Sequence, residues 1–279
     1  MTSVHSRIHQ MTRISAVSIV FAAMALAAPV AHAELSAEDL AKISQNPVGN
    51  LISVPFQYNS NFNYRPENGT QSVLNIQPVV PFSVNKDWNI ITRTILPFIS
   101  LPSLYTGDDR TNGFGDLQIS AFLSPAVPGE WIWGVGTIMQ APSHSNAQLG
   151  NDNWGLGPTF VVLHIAKGDP WVYGVLANNV WSLGSSSDAP SYNNGLIQPF
   201  LNYNFPTGFY LTSGPQITVN WKADSGQQWT IPLGGGIGKI VHFGKLPVNL
   251  SLAAYYNVVK PDFAANWQLQ AQIKFMFPK

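Results

Sequence analysis

The 279-residue sequence contains no cysteine, so disulfide bonds, thiolate metal sites and cysteine nucleophiles are all excluded. Charged residues are scarce: they make up 10% of the chain, whereas a soluble domain carries about 25%. The six histidines are scattered, and none has the spacing of a metal-binding motif. The sequence therefore predicts neither a metal site nor a cofactor.

Long apolar runs are also missing, except near the N-terminus. Arg7 and Arg13 precede an apolar run over residues 14–28, and a small-x-small cleavage motif ends at Ala33. The run is too short for a membrane anchor, so we expect residues 1–33 to be a secretory signal peptide. Removing its two arginines from the 14 basic residues leaves 12 against 14 acidic ones. Without a basic stripe to neutralise phosphates, no nucleic-acid partner is expected.

In place of apolar helices, the sequence has alternation. Trp267–Phe277 reads WQLQAQIKFMF, in which every odd position is apolar and four of the five even positions are Gln or Lys. A period of two places the odd positions on one face of a strand and the even positions on the other. The length, 11 residues, is about what a tilted strand needs to cross a bilayer.

Residues 34–50 predict a helix of two or three turns. Ser36 followed by Asp39 resembles a capping box, and Pro47 would end the helix. From residue 51 the chain divides into strand-like runs separated by turn residues. Twelve are predicted, over residues 51–62, 71–84, 88–101, 115–124, 131–140, 154–163, 171–181, 195–205, 209–221, 228–237, 248–259 and 267–277. An even number is required of a single-chain bacterial barrel with both ends in the periplasm.

The connections between these runs alternate longer and shorter along most of the chain, as short periplasmic turns and longer outer loops would. Residues 238–247 are the exception: the alternation requires a shorter connection there, but the predicted strand ends leave a longer one. The nine tryptophans form two groups at the strand ends, as in aromatic girdles. Those beside shorter turns are Trp88, Trp131, Trp133 and Trp171, and those beside longer loops are Trp154, Trp181, Trp221, Trp229 and Trp267. A soluble β-sandwich would bury its tryptophans mid-strand about as often, so it is the less favoured alternative.

These patterns together predict an all-β fold: a transmembrane antiparallel up-and-down β-barrel of about 12 strands over residues 51–279, preceded by a short helix or plug segment. Its place would be the bacterial outer membrane, with lipid as its partner. Periodicity directs one face of each strand to the lumen. The lumen-lining candidates are Gln77, Arg93, Asp116, Gln118, Gln198, Asn202, Gln216, Asn249, Gln270 and Lys274. Amides carry donors and acceptors at every pH, so this lining would solvate a polar solute without selecting ionic sign.

Arg93, Asp116 and Lys274 are the only clear mid-strand charges predicted in the lumen. One interpretation is a cluster that orients a solute. The other is a salt-bridge network that braces the interior, which we favour because buried charges are usually paired. Glycines within strands, such as Gly134, would relieve crowding, allow bends or let another element lie against the barrel wall.

An outer-membrane lipid hydrolase is the alternative function, suggested by Ser143-His144-Ser145-Asn146. A serine nucleophile needs a base that is itself held by a third group, and the sequence places no such group. We therefore expect these residues to form a solvated polar loop. A structural barrel without an open pore is a further alternative.

Several segments resemble the outer-membrane transporter family named for the meta-cleavage pathway of phenol degradation, whose members are often labelled neuromedin U. The resemblance covers roughly residues 46–279 and lies in GFGDL at 113–117, WGLGP at 154–158, NNVWS at 178–182, QPFLNYN at 198–204 and YYNVVKP at 255–261. It implies an outer-membrane barrel, associated in some members with the catabolism of aromatic compounds. The sequence thus predicts a channel for small neutral or weakly polar organic solutes, aromatic ones among them, of unspecified oligomeric state.

Overall fold

The computed structural model describes residues 36–64, 68–103, 109–186 and 189–277. The predicted signal peptide, residues 1–33, lies outside these ranges. One helix, α1 (Ala37–Gln45), precedes fifteen strand segments. The first eight are β1 (Ile52–Tyr64), β2 (Gly69–Ile76), β3 (Val79–Ser83), β4 (Trp88–Leu101), β5 (Thr111–Phe114), β6 (Leu117–Pro125), β7 (Trp131–Ala141) and β8 (Gly155–Ile165). The others are β9 (Trp171–Ser182), β10 (Asn193–Asn204), β11 (Phe209–Ser213), β12 (Ile217–Asn220), β13 (Trp229–Phe243), β14 (Leu246–Val259) and β15 (Trp267–Phe277).

The segments form a closed antiparallel barrel of 12 strands, which confirms the predicted fold. Segments β2 and β3, β5 and β6, and β11 and β12 each make up one interrupted strand of the wall. Two of the interruptions contain a proline, Pro78 and Pro215, which cannot donate a backbone hydrogen bond to the ladder. Closure comes from β1 and β15, which pair from Ile52 with Phe277 to Phe62 with Trp267.

Residues 238–247 form a tight hairpin, so the prediction of a longer connection there was wrong. Strand β13 runs to Phe243, which pairs with Leu246 of β14, and only Gly244 and Lys245 lie between them. Gly244 has φ of 62°, the conformation that a type II′ turn requires at its first central position. The predicted strand ends at residue 237, just before Gly238, so the sequence missed the last six residues of β13 and not its start.

The outer face of the barrel is apolar and rimmed by aromatic rings. Along β15 the odd positions are more exposed than the even ones, with Leu269 at 36% and Ile273 at 46%. At the short-turn end, Trp88 and Trp133 contact edge to face with ring centroids 5.8 Å apart. At the other end Phe62 stacks on Trp267 at 4.1 Å. This surface has the form expected of a barrel embedded in lipid.

Helix α1 forms as the capping box predicts. Ser36 Oγ accepts a hydrogen bond from Asp39 N at 3.0 Å and donates one to the Asp39 carboxylate at 2.7 Å. The helix ends at Gln45, two residues before Pro47. Within the described ranges, no helix is long and apolar enough to cross a membrane.

Candidate functional site: the barrel lumen and its N-terminal segment

The C-terminal end of α1 is hydrogen-bonded to lumen-facing side chains of the barrel. Lys274 Nζ on β15 donates to the carbonyl oxygen of Ser44 at 2.6 Å, and Asn249 Nδ2 on β14 donates to Ser44 Oγ at 2.7 Å. Gln45 Nε2 donates to Asn204 Oδ1 on β10 at 2.8 Å. The helix therefore lies inside the barrel, near the short turns.

An apolar cluster holds the helix on the same side. Leu40 and Ala41 are buried with Tyr210 of β11, Ile240 of β13 and Met276 of β15. Each Å² of apolar surface removed from water stabilises such a contact by about 25 cal/mol. Polar and apolar contacts thus both fix α1 to one side of the interior.

The residues after α1 reach the opposite side of the interior. Val48 is buried with Ile91 of β4, Phe122 of β6 and Val161 of β8. A Cβ on Gly134 of β7 would lie 3.3 Å from Val48 Cγ1, so the glycine permits this approach. Residues 36–50 therefore contact both sides of the barrel interior at its short-turn end.

Two cavities occupy the lumen above this segment. The upper one, about 670 Å³, is bordered by Gln227, Gln228 and Pro261 near the long loops. The lower one, about 190 Å³, is bordered by Ser44 and Pro47 of the N-terminal segment. Five side chains border both cavities, namely those of Gln77, Arg93, Leu176, Gln198 and Gln216. The two cavities meet at the level of these five residues.

All ten sequence-predicted lumen candidates border one or both cavities. Asp116 and Gln118 border the upper cavity only. Asn202, Asn249, Gln270 and Lys274 border the lower cavity only, and the remaining four candidates border both. Strand periodicity assigns each of these residues to the inner face before any contact is known.

Sequence reasoning missed a large apolar part of the lumen. Around Val48, the interior walls of β3, β4 and β6–β9 are lined by the buried side chains of Val79, Ile91, Phe122, Ile132, Val161, Leu163, Val172 and Leu176. In these strands both faces carry apolar residues near the short turns, as at Ile90 and Ile91. A period of two cannot be recognised where successive residues are all apolar.

The three lumen charges do not form the predicted salt-bridge network, and that prediction was wrong. None of the ion pairs among the described residues joins Arg93, Asp116 and Lys274 to one another. Arg93 Nη2 donates to Gln77 Oε1 at 2.6 Å, while Lys274 bonds to the helix carbonyl described above. The reason is that Asp116 is engaged by the loop between β7 and β8.

Asp116 anchors this loop, residues 142–154. Its carboxylate accepts hydrogen bonds from Ser143 N at 3.2 Å, His144 N at 3.3 Å and Asn151 N at 2.6 Å, and from Gln140 Nε2 at 3.0 Å. His144 Nδ1 lies 2.7 Å from Asp116 Oδ1. The Asp116 side chain is only 5% exposed, so little of the carboxylate is left for a solute.

Ser143, Ser145 and Asn146 are exposed, as the predicted solvated loop requires. His144 is the exception, because its side chain is only 9% exposed. Its Nε2 lies 3.2 Å from Asp152, so carboxylates engage both ring nitrogens. Ser143 Oγ and Ser145 Oγ instead accept from the backbone N–H groups of Leu117 and Phe114. No hydroxyl of the described residues is hydrogen-bonded to His144 in the manner of a nucleophile and its base.

A tyrosine on the next long loop extends this polar cluster. Tyr192 donates to the carbonyl oxygen of Asn153 at 3.2 Å. Burial, together with the charge of Asp116, raises the pKa of Tyr192 to about 12. The phenol therefore stays protonated and able to donate through the physiological pH range.

No protein-family model matches the chain, and no curated protein matches it either. Solved structures do match. An outer-membrane channel from Pseudomonas putida F1 is 16% identical over 89% of this chain and 100% of its own, with a TM-score of 0.61. The NanC porin is 11% identical over 82% of this chain and 100% of its own, with a TM-score of 0.51. The chain shares its barrel fold with these outer-membrane proteins.

Proposed function

We propose that the protein is a non-enzymatic outer-membrane channel for the passive passage of small neutral or weakly polar organic solutes, aromatic ones among them. The observation that carries the proposal is the upper cavity, which is about 670 Å³ and borders the long loops. A volume of this size is typical of sites for small organic ligands. Amide side chains such as Gln118 and Gln198 supply donors and acceptors without charge, while Ile95 and Leu196 supply apolar contact.

The outer surface and the fold matches support the membrane setting. The barrel exposes apolar side chains to its surroundings and carries aromatic rings at both ends, as lipid requires. Two proteins with the same fold, the channel from Pseudomonas putida F1 and the NanC porin, are an outer-membrane channel and a porin. The resemblance to the phenol-degradation family adds aromatic compounds to the proposed solutes.

We propose no catalytic role because of the position of His144. Both of its ring nitrogens are engaged by carboxylates, so neither is available to remove a proton from Ser143 or Ser145. A lipid-hydrolase assay with the unmutated protein tests this directly, and we expect no activity.

In this proposal residues 36–50 gate the channel. The segment closes the lumen at its short-turn end, and its polar contacts are few enough to exchange for water. Three of them, from Lys274, Asn249 and Gln45, lie within one turn of α1. Solute would leave through the short-turn end only when this segment moves.

Single-channel recording of the refolded chain without residues 1–33 tests the channel. We expect brief openings in potassium chloride and a concentration-dependent block by phenol, which would compete with ions for the lumen. Folding is checked separately by heat-modifiable gel mobility. A folded protein that never conducts, with or without solute, would contradict the proposal.

A reversible cross-link tests the gate. Because the chain contains no cysteine, Ser44→Cys with Asn249→Cys introduces a single possible disulfide, at side chains that are 2.7 Å apart. We expect the oxidised double variant to open rarely and dithiothreitol to restore the openings. The Ser44→Cys single variant is the control and should not respond to oxidation. Equal conductance of the oxidised and reduced double variant would show that the segment is no gate.

A further inference from the structure

Two cations face the lumen at the level where the cavities meet. Arg93 of β4 borders both cavities, and Lys274 of β15 borders the lower one. The two side chains share the lower cavity, with only β1 and β3 between their strands in the barrel wall. Both are partly exposed, so a solute in the lumen can reach them.

No carboxylate among the described residues balances this pair. The side chains that border the lower cavity include no Asp or Glu. Asp116 is the one acidic residue that borders the upper cavity, and its oxygens are engaged by the loop of residues 142–154. Two positive charges inside the barrel without a counter-ion are unfavourable, so an anion from outside the chain would be favoured at this position.

Toward the described residues, both cations leave most of their hydrogen-bonding capacity unused. Arg93 uses one N–H, toward Gln77, out of the five that a guanidinium carries. Lys274 uses one of its three, toward Ser44. A guanidinium fork and a neighbouring ammonium together match the two oxygens of a carboxylate.

We propose that Arg93 and Lys274 form a binding site for the carboxylate of a small organic acid. Two cations also attract inorganic anions, but an inorganic anion gains nothing from contact with an apolar surface. An organic acid does gain from such contact, and an apolar surface lies beside this site. Arg93 opens into the upper cavity, where Ile95, Leu176 and Leu196 line the wall. An aromatic or aliphatic acid would place its carboxylate on the two cations and its apolar body against these side chains. The inference goes beyond the proposed channel function, because a carboxylate is charged, and it rests on that function only for the route by which the acid arrives.

Binding is measured without transport, on the folded chain without residues 1–33 in detergent micelles. The probes are 4-fluorobenzoate and the uncharged 4-fluorobenzamide, which have nearly the same shape, followed by ¹⁹F NMR. We expect the unmutated protein to bind the benzoate at least about 10-fold more tightly than the benzamide, because hydrogen bonds to charged groups are the stronger kind. Equal affinities for the two probes would overturn the inference, and this comparison requires no variant.

Three variants locate the site. Arg93→Gln and Lys274→Gln keep a polar side chain, and each should lose about 10-fold or more in affinity for the benzoate while binding the benzamide as before. Lys239→Gln is the matched control, because Lys239 is exposed on the outside of β13, and it should leave both affinities unchanged. Unchanged benzoate binding by Arg93→Gln and Lys274→Gln, in folded protein, would overturn the assignment.

The two proposals fail in different ways. Preferential binding of the benzoate by a protein that is silent in planar bilayers would support this site and remove the channel. Conductance with equal binding of the two probes would support the channel and overturn this site.

Discussion

Replacing Asp116 by Asn should release the loop of residues 142–154 while leaving the barrel intact. The carboxylate offers two oxygens: Oδ2 accepts from Gln140 Nε2 and Asn151 N, and Oδ1 accepts from Ser143 N and His144 N. An asparagine has one oxygen and one NH₂ group. Whichever way the amide turns, the backbone N–H groups on one side lose their acceptor and face a donor instead.

The size of the effect follows from the bonds that are lost. The Gln140 amide can rotate to accept, but a backbone N–H such as that of Asn151 cannot. The least expected loss is therefore one hydrogen bond to a charged group, about 1.5–3 kcal/mol. If this loss lowers the free energy of opening of the loop by the same amount, the loop amides should exchange hydrogen about 10- to 150-fold faster.

Hydrogen exchange read by mass spectrometry measures this opening. Peptides from residues 142–154 should exchange faster in Asp116→Asn, whereas peptides from β15 should not change. Asp262→Asn is the matched control: its carboxylate accepts from Gln227 Nε2 at 3.0 Å on an exposed outer loop. Loop exchange that is equal in Asp116→Asn and the unmutated protein would refute the reasoning, and would mean that other contacts, such as Ser145 with Phe114, hold the loop.

Three further changes test the fold. In this cysteine-free chain, a water-soluble thiol reagent should label Gln270→Cys through the lumen and spare Leu269→Cys under lipid; the reverse pattern would refute the face assignment. Ser36→Ala removes the N-cap of α1 and should lower helix stability by about 1 kcal/mol, seen as faster exchange of the helix amides with no change in the β15 peptides. Gly244→Ala forces a side chain onto φ of 62° and should lower the free energy of unfolding in urea by about 1–2 kcal/mol; Gly129→Ala, which has open space and no positive φ, is the control and should change it little.

Strand positions were predictable from the sequence wherever alternation is unbroken between turn residues. The predicted bounds of β4 and β15 agree with the structure residue for residue. Elsewhere the backbone interrupts a run that the side-chain pattern continues, as at Pro78, where the residues on either side keep the same face. The alternation of residues indicates which face each side chain occupies. It does not indicate where the backbone hydrogen bonds between strands are interrupted, because these depend on the neighbouring strand as well.

The apolar part of the lumen was not predictable, because it depends on a residue outside the barrel wall. Phe122 and Val161 face inward by parity, and an inward apolar side chain in a water-filled lumen would be unfavourable. They are stable there because Val48 packs on them, and Gly134 leaves room for it. No local pattern connects Val48 with β7, since the contact forms only when residues 36–50 enter the barrel.

The pairing of charges in the lumen could not be predicted from the sequence either. By periodicity Asp116 faces inward just as Arg93 and Lys274 do, so the sequence predicts three charges that can pair with one another. Pairing depends on distance and on competing donors, and the loop of residues 142–154 brings His144 and two backbone N–H groups to Asp116 Oδ1 first. Once that carboxylate is engaged, the remaining lumen charges are both positive. A lining that appears indifferent to ionic sign in the sequence therefore carries two positive charges, Arg93 and Lys274, that no carboxylate among the described residues pairs with.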